Sequence, residues 1–122
     1  MPFIGAISGN GDTIVGAATA SSEWTGLIFP AAATNFTEPL RCENLSRVSA
    51  VVTATLGGIG GSGTLDVRIS QTFYPVATFV VGALNTPVTV EQHIACKDVR
   101  VSLNPGGGGG TFDILLMATG TS

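Results

Sequence analysis

Gly58-Ile59-Gly60-Gly61-Ser62-Gly63 matches the G-x-G-x-x-G spacing of loops that cradle a dinucleotide pyrophosphate. That chemistry needs glycines whose backbone N–H groups open a helix directed at the phosphates. Here "TLDVRIS" follows the glycines where the helix should begin. The acidic residue expected about twenty positions on is replaced by Ala83. No Gly-Lys-Ser/Thr sequence offers a phosphate loop instead. The match therefore predicts no cofactor site.

Other chemistry is equally thin. The one histidine, His93, precedes Cys96 by three residues in "VTVEQHIAC". On a strand that spacing puts the two side chains on opposite faces, so no metal pair is expected. The eight carboxylates are scattered, with no close pair for acid–base work. There is no G-x-S-x-G elbow and no H-E-x-x-H. Asp66 and Asp113 recur at matching positions and read as outward strand residues or cross-strand charge partners. No catalytic, cofactor-binding or metal residue is nominated, and the chain is expected not to be an enzyme.

The elements that would carry such residues are strands. Val, Ile, Thr and Phe dominate, and Gly and Pro punctuate the chain every few residues. In "SRVSAVVTATL", Val48, Ala50, Val52, Ala54 and Leu56 share one face. Leu65, Val67 and Ile69 do so in the next segment, as do Val99, Val101 and Leu103 later. This period of two marks half-buried antiparallel strands. Further strands are expected at Val76–Val81 and Val88–Ile94. The last, "TFDILLMA", is apolar on both faces: Phe112, Ile114 and Leu116 on one, Leu115 and Met117 on the other. Such a strand must be covered twice, within a sandwich or by a neighbouring subunit.

The glycine run itself is written a second time. "RVSAVVTATLGGIGGSGTLDVRIS" and "VRVSLNPGGGGGTFDILLMA" share an alternating strand, a run of glycines, then Thr, a large apolar residue and Asp. Each follows a cysteine, Cys42 or Cys96, by a few residues. The pattern predicts one hairpin used twice, with the cysteines in related positions. They could pair only if the fold brings them together. Without an export signal, reduced thiols are the default.

Residues 1–22 are apolar without clean periodicity. They read as an extended N-terminal arm that docks on a partner through Phe3, Ile4, Ile7, Ile14 and Val15, or equally as a strand on the protein's own sheet. The stretch lacks the basic n-region and apolar core of a signal peptide, and no window approaches the ~18 apolar residues of a membrane helix. Synthesis in the cytosol is expected. Trp24, the sole tryptophan, reads as a core plug or interface anchor; with Phe73 and Tyr74 it could alternatively form a sugar-binding platform.

The 122 residues suit one domain, 23–122, preceded by the arm 1–22. The expected fold is all-β, an antiparallel β-sandwich or jelly roll. Charged residues make up 11% of the chain, against roughly 25% in an ordinary soluble domain. A surface this neutral suits a protein covered by other subunits. The net charge of −3 offers no basic face to nucleic acid or anionic lipid. Interface residues are therefore sought in the arm, at Trp24, and at Leu115 and Met117.

The arm, the strand "TLDVRISQT" with its aromatic sequel, and the late "VRVSLNPGGGGGTF" unit together resemble the small all-β head proteins of tailed bacteriophages, the decoration or cement proteins. The resemblance spans most of the chain and carries no residue-level site. It implies a virion structural protein, made in the host cytoplasm, that sits on the capsid surface. Its partners would be the major capsid protein and copies of itself in a trimer or dimer, holding the shell by buried area and strand addition. Similar domains serve in phage tails and fibres or as carbohydrate-binding modules, which are the alternatives.

Overall fold

The computed structural model describes residues 17–31, 33–43 and 45–121. In chain order the strands among them are β1 (Ala17–Phe29), β2 (Asn35–Phe36), β3 (Leu40–Arg41), β4 (Arg47–Gly57), β5 (Ser62–Arg68), β6 (Phe73–Val80), β7 (Val88–His93), β8 (Asp98–Asn104) and β9 (Gly110–Thr121). One sheet has the order β1-β9-β4-β7, and the other β2-β8-β5-β6 with β3 also paired to β8. Every pairing is antiparallel. The chain crosses between sheets at every connection except β2–β3 and β5–β6. That order is a jelly roll, two sheets sharing one core.

Alternation builds the core as the sequence predicts. Val48, Ala50, Val52 and Ala54 of β4, with Phe112, Ile114 and Leu116 of β9 in the same sheet, face Leu65 and Val67 of β5 and Val99, Val101 and Leu103 of β8. Each large side chain removed from water contributes about 1.5–3 kcal/mol. The core is therefore a single apolar layer between the sheets.

Three expectations need correction. Leu56 does not continue the inward row of β4. The register with β9 slips between Thr111 and Phe112, opposing Leu56 to Thr111 and Ala54 to Phe112. The extra residue, Thr55, bonds through its hydroxyl to the Thr111 carbonyl, and Leu56 turns outward. Ile69 is also outside, 50% exposed, because β5 ends at Arg68. Finally, the two glycine units are not hairpins: β4 and β5 lie in different sheets, as do β8 and β9. Alternating strands look the same in sequence whether they pair side by side or face each other across a core.

The glycines turn two corners at the same end of the sandwich, and the corners interlock. A Cβ on Gly57 would stand 2.9 Å from the Gly109 carbonyl oxygen. Gly58 has φ +77° and lies on the Phe112 ring, where a Cβ would meet Cζ at 2.4 Å. Only glycine fits both the left-handed backbone and the ring contact.

The boundary expected at residue 22 is not visible in the strands. Residues 17–22 are the first half of β1, paired with β9 out to Ala17↔Thr121. A β-bulge lies between Trp24 and Leu27, where β1 takes three steps to two on β9. The bulge shifts the phase of β1: Trp24, Leu27 and Phe29 face the core and Ile28 faces out. Phe3, Ile4, Ile7, Ile14 and Val15 lie outside the described residues.

Candidate functional site

The two sheets present very different outer faces. On the β2-β8-β5-β6 sheet, the register places Thr64 beside Ser102, Asp66 beside Arg100, and Arg68 beside Asp98. The Asp66 carboxylate accepts hydrogen bonds from Thr64 Oγ1 at 2.5 Å, Arg100 Nε at 3.2 Å and the Ser102 hydroxyl. Arg68 Nε donates to Asp98 at 2.8 Å. The Arg100 guanidinium is stacked between the rings of Phe36 and Phe73, at 4.0 and 4.1 Å. Asp66, between Pro75 and Arg100 on the neighbouring strands, is only 5% exposed although it points away from the core. Sequence reasoning expected Asp66 outward or paired across strands; it is both, and buried as well. Every charge here is answered locally, so the cluster leaves no free acid, base or ligand.

The outer face of β1-β9-β4-β7 has no such closure. Along β9, Thr111, Asp113, Leu115 and Met117 point outward. Ile28 and Leu56 flank Thr111 in one row, and Glu23 and Val51 flank Leu115 in the next but one. Ile28 is 75% and Leu56 69% exposed. Between them and Pro30 the second glycine corner forms the rim of an open groove of about 420 Å³. Asp113, the one carboxylate in the middle of the face, accepts the backbone N–H of Gly26 at 2.9 Å and so holds the β1 bulge. At the far end Arg47 pairs with Glu91 at 2.7 Å, beside His93. The Arg47 guanidinium keeps the Glu91 carboxyl below its ordinary value.

Of the sequence-expected interface residues, Leu115 and Met117 stand on this outer face, half-buried. Trp24 does not join them: it sits opposite Ile114 on the inner side of β1 and packs on the core. It is also on a different sheet from Phe73 and Tyr74, so the three make no common platform. Sequence reasoning missed the two most exposed members, Ile28 and Leu56. In "GLIF" one residue of an alternating strand must point out, a signal for Ile28 that was present but needed the bulge to assign. Leu56 carried a misleading signal, since its parity matches Val52 and Ala54.

The sequence motifs read for chemistry are placed apart. The G-x-G-x-x-G segment leads from β4 into β5, a strand. His93 is exposed at the end of β7, while Cys96 is buried in the next connection. Cys96 lies instead against Cys42, with the sulfurs 2.8 Å apart.

No protein-family model and no curated protein matches the sequence. Solved structures match in shape. A protein of Bacillus endospore appendages, described as a novel family of disulfide-linked pili, aligns with a TM-score of 0.55 and 15% identity, over 86% of each chain. The two share a fold. A structure from the Gt strain of infectious bursal disease virus aligns with a TM-score of 0.43 and 11% identity, covering 99% of this chain and 38% of that one.

Proposed function

We propose that this chain is a non-enzymatic structural subunit of an assembled particle, and that its copies associate through the outer face of the β1-β9-β4-β7 sheet. One observation carries the reading: Ile28 and Leu56 stand exposed on either side of Thr111, on a face continued by Val51, Leu115 and Met117. Exposed apolar groups grouped in this way mark interaction surfaces. The low charge of the chain, 11% of its residues, supports association with itself by leaving few charges to strip of water at an interface. The fold shared with a pilus protein adds support, since a jelly roll offers two flat faces and four sheet edges for stacking.

Within that reading, decoration of a capsid surface is the context we propose from the resemblance to phage head proteins. Copies of the chain then bind one another and a major capsid protein, and contribute buried area rather than chemistry. Sedimentation and mass photometry of the purified full chain test this. Oligomers well above the 12.3 kDa monomer are expected, and an Ile28→Glu/Leu56→Glu variant should run as a folded monomer. A wild-type monomer at high micromolar concentration overturns self-association. If that monomer also fails to bind purified capsids, the decoration role falls with it.

A further inference from the structure

Cys42 follows β3, and Cys96 lies between β7 and β8, at the end of the sandwich opposite the glycine corners. They are 54 residues apart in sequence, and both are free thiols in this structure. Backbone hydrogen bonds hold the two connections together. Cys42 N–H donates to the Lys97 carbonyl, and Lys97 N–H to the Arg68 carbonyl, each at 2.8 Å. The sulfurs are consequently 2.8 Å apart, and Cys42 Sγ also lies 3.4 Å from the Cys96 carbonyl. They need to approach by less than about 1 Å to reach a disulfide bond of about 2.05 Å.

Their surroundings differ. Cys42 is wholly buried. Cys96 is 8% exposed and lines an open groove of about 400 Å³ with Glu43, Ile69, Ala95 and Lys97, the side from which a small molecule would approach the pair. Burial pushes both thiols above their ordinary values, and the Cys42 thiol further through its bond to Cys96. That same hydrogen bond acts in the opposite sense at Cys96, favouring its thiolate. Geometry and proton affinity thus single out the same attacking sulfur.

We propose that Cys42 and Cys96 are a modification site that closes to an intrachain disulfide by exchange with a small-molecule disulfide, Cys96 reacting first and Cys42 second. The Cys96 thiolate attacks one sulfur of the reagent, forming a mixed disulfide and releasing one thiolate, which takes up a proton. Cys42 then gives up its proton and attacks the Cys96 sulfur, releasing the second thiol. The protein loses two protons and two electrons, and the reagent is reduced to two thiols. Closure links β3–β4 to β7–β8 covalently, constraining the unfolded chain far more than the folded one.

The experiment equilibrates the full-length protein with oxidised and reduced glutathione at mildly alkaline pH. The expected product is a monomer on a non-reducing gel, lighter by two hydrogens, with Cys42 and Cys96 in one linked peptide. Its melting temperature should rise by roughly 10 °C and return on reduction. Cys42→Ser should accumulate a glutathione adduct on Cys96, whereas Cys96→Ser should resist modification in the native state. Two titratable thiols after equilibration, or crosslinks only between chains, overturn the proposal. Faster labelling of Cys42 in the Cys96→Ser protein overturns the order of attack. Should a serine variant fail to fold, peptide mapping of the wild type still decides whether the pair closes.

Discussion

The outer faces of the two sheets use the same alternation to opposite ends. On β5 and β8 the outward positions hold Asp66, Arg68, Asp98, Arg100 and Ser102, and two phenylalanines stack on Arg100. On β4 and β9 they hold Leu56, Val51, Leu115 and Met117 beside Thr53, Thr111 and Asp113, with nothing from the described residues above Ile28 and Leu56. A face that satisfies its own polar groups gains little from a partner. A face that leaves branched aliphatics in water gains about 25 cal/mol for each Å² covered. The contrast separates the part of the surface that stabilises the subunit from the part available to join subunits.

Asp66→Ala tests that separation most severely. Removing the carboxylate leaves Arg100 against the two rings without its counter-ion and strips an acceptor from the buried Ser102 hydroxyl and the half-buried Thr64 hydroxyl. Denaturant unfolding should show a loss of about 3–5 kcal/mol, with Asp66→Asn less harmful. A loss below about 1 kcal/mol would mean the cluster is solvated and the two faces are not so different. Phe36→Ala should follow at about 1–2 kcal/mol, because it removes one side of the Arg100 sandwich and admits water to Asp66. On the other face, Ile28→Ser with Leu56→Ser should change monomer stability by no more than about 0.5 kcal/mol per site, while association is lost. Equal losses of stability on both faces would erase the distinction.

The smallest effect belongs to Glu91. Its carboxyl is held low by Arg47, so the pair stabilises the fold above the ordinary carboxylate range and ceases to do so as pH falls through the lowered value. The pair is exposed, and its contribution to unfolding should be lost in experimental error. An NMR titration can still read it: the Glu91 midpoint should move up in Arg47→Ala. An unmoved midpoint would dismiss the pair.

Much of the jelly roll was legible because β4, β5 and β8 alternate cleanly, and alternation is a local property. What failed was non-local. β1 reads poorly because its inward positions before the bulge are filled by Ala20, Ser22 and then Trp24, and its phase changes at the bulge. Leu56 was misread because slippage against β9 depends on a strand more than fifty residues away. Asp66 looked like any solvated strand carboxylate until Arg100, held against Phe36 and Phe73, and Ser102 were placed beside it. The candidate face was half visible: the two-sided apolarity of β9 gave Leu115 and Met117, but not the neighbours that turn them into a patch. The matching positions of the cysteines left their separation open, and only the crossing of the chain between sheets brought the sulfurs together.

The place of β9 also bears on how the molecule is made. It is the last described strand to leave the ribosome, yet it lies between β1 and β4 and supplies Phe112, on which the first glycine corner rests. Until it arrives, β1 and β4 have no common neighbour and the sandwich cannot close. Folding of the sandwich must therefore wait until β9 has been made, and the long sequence separation of these pairings makes it slow. The face proposed to join copies is assembled around the same strand, so a chain lacking β9 does not present it.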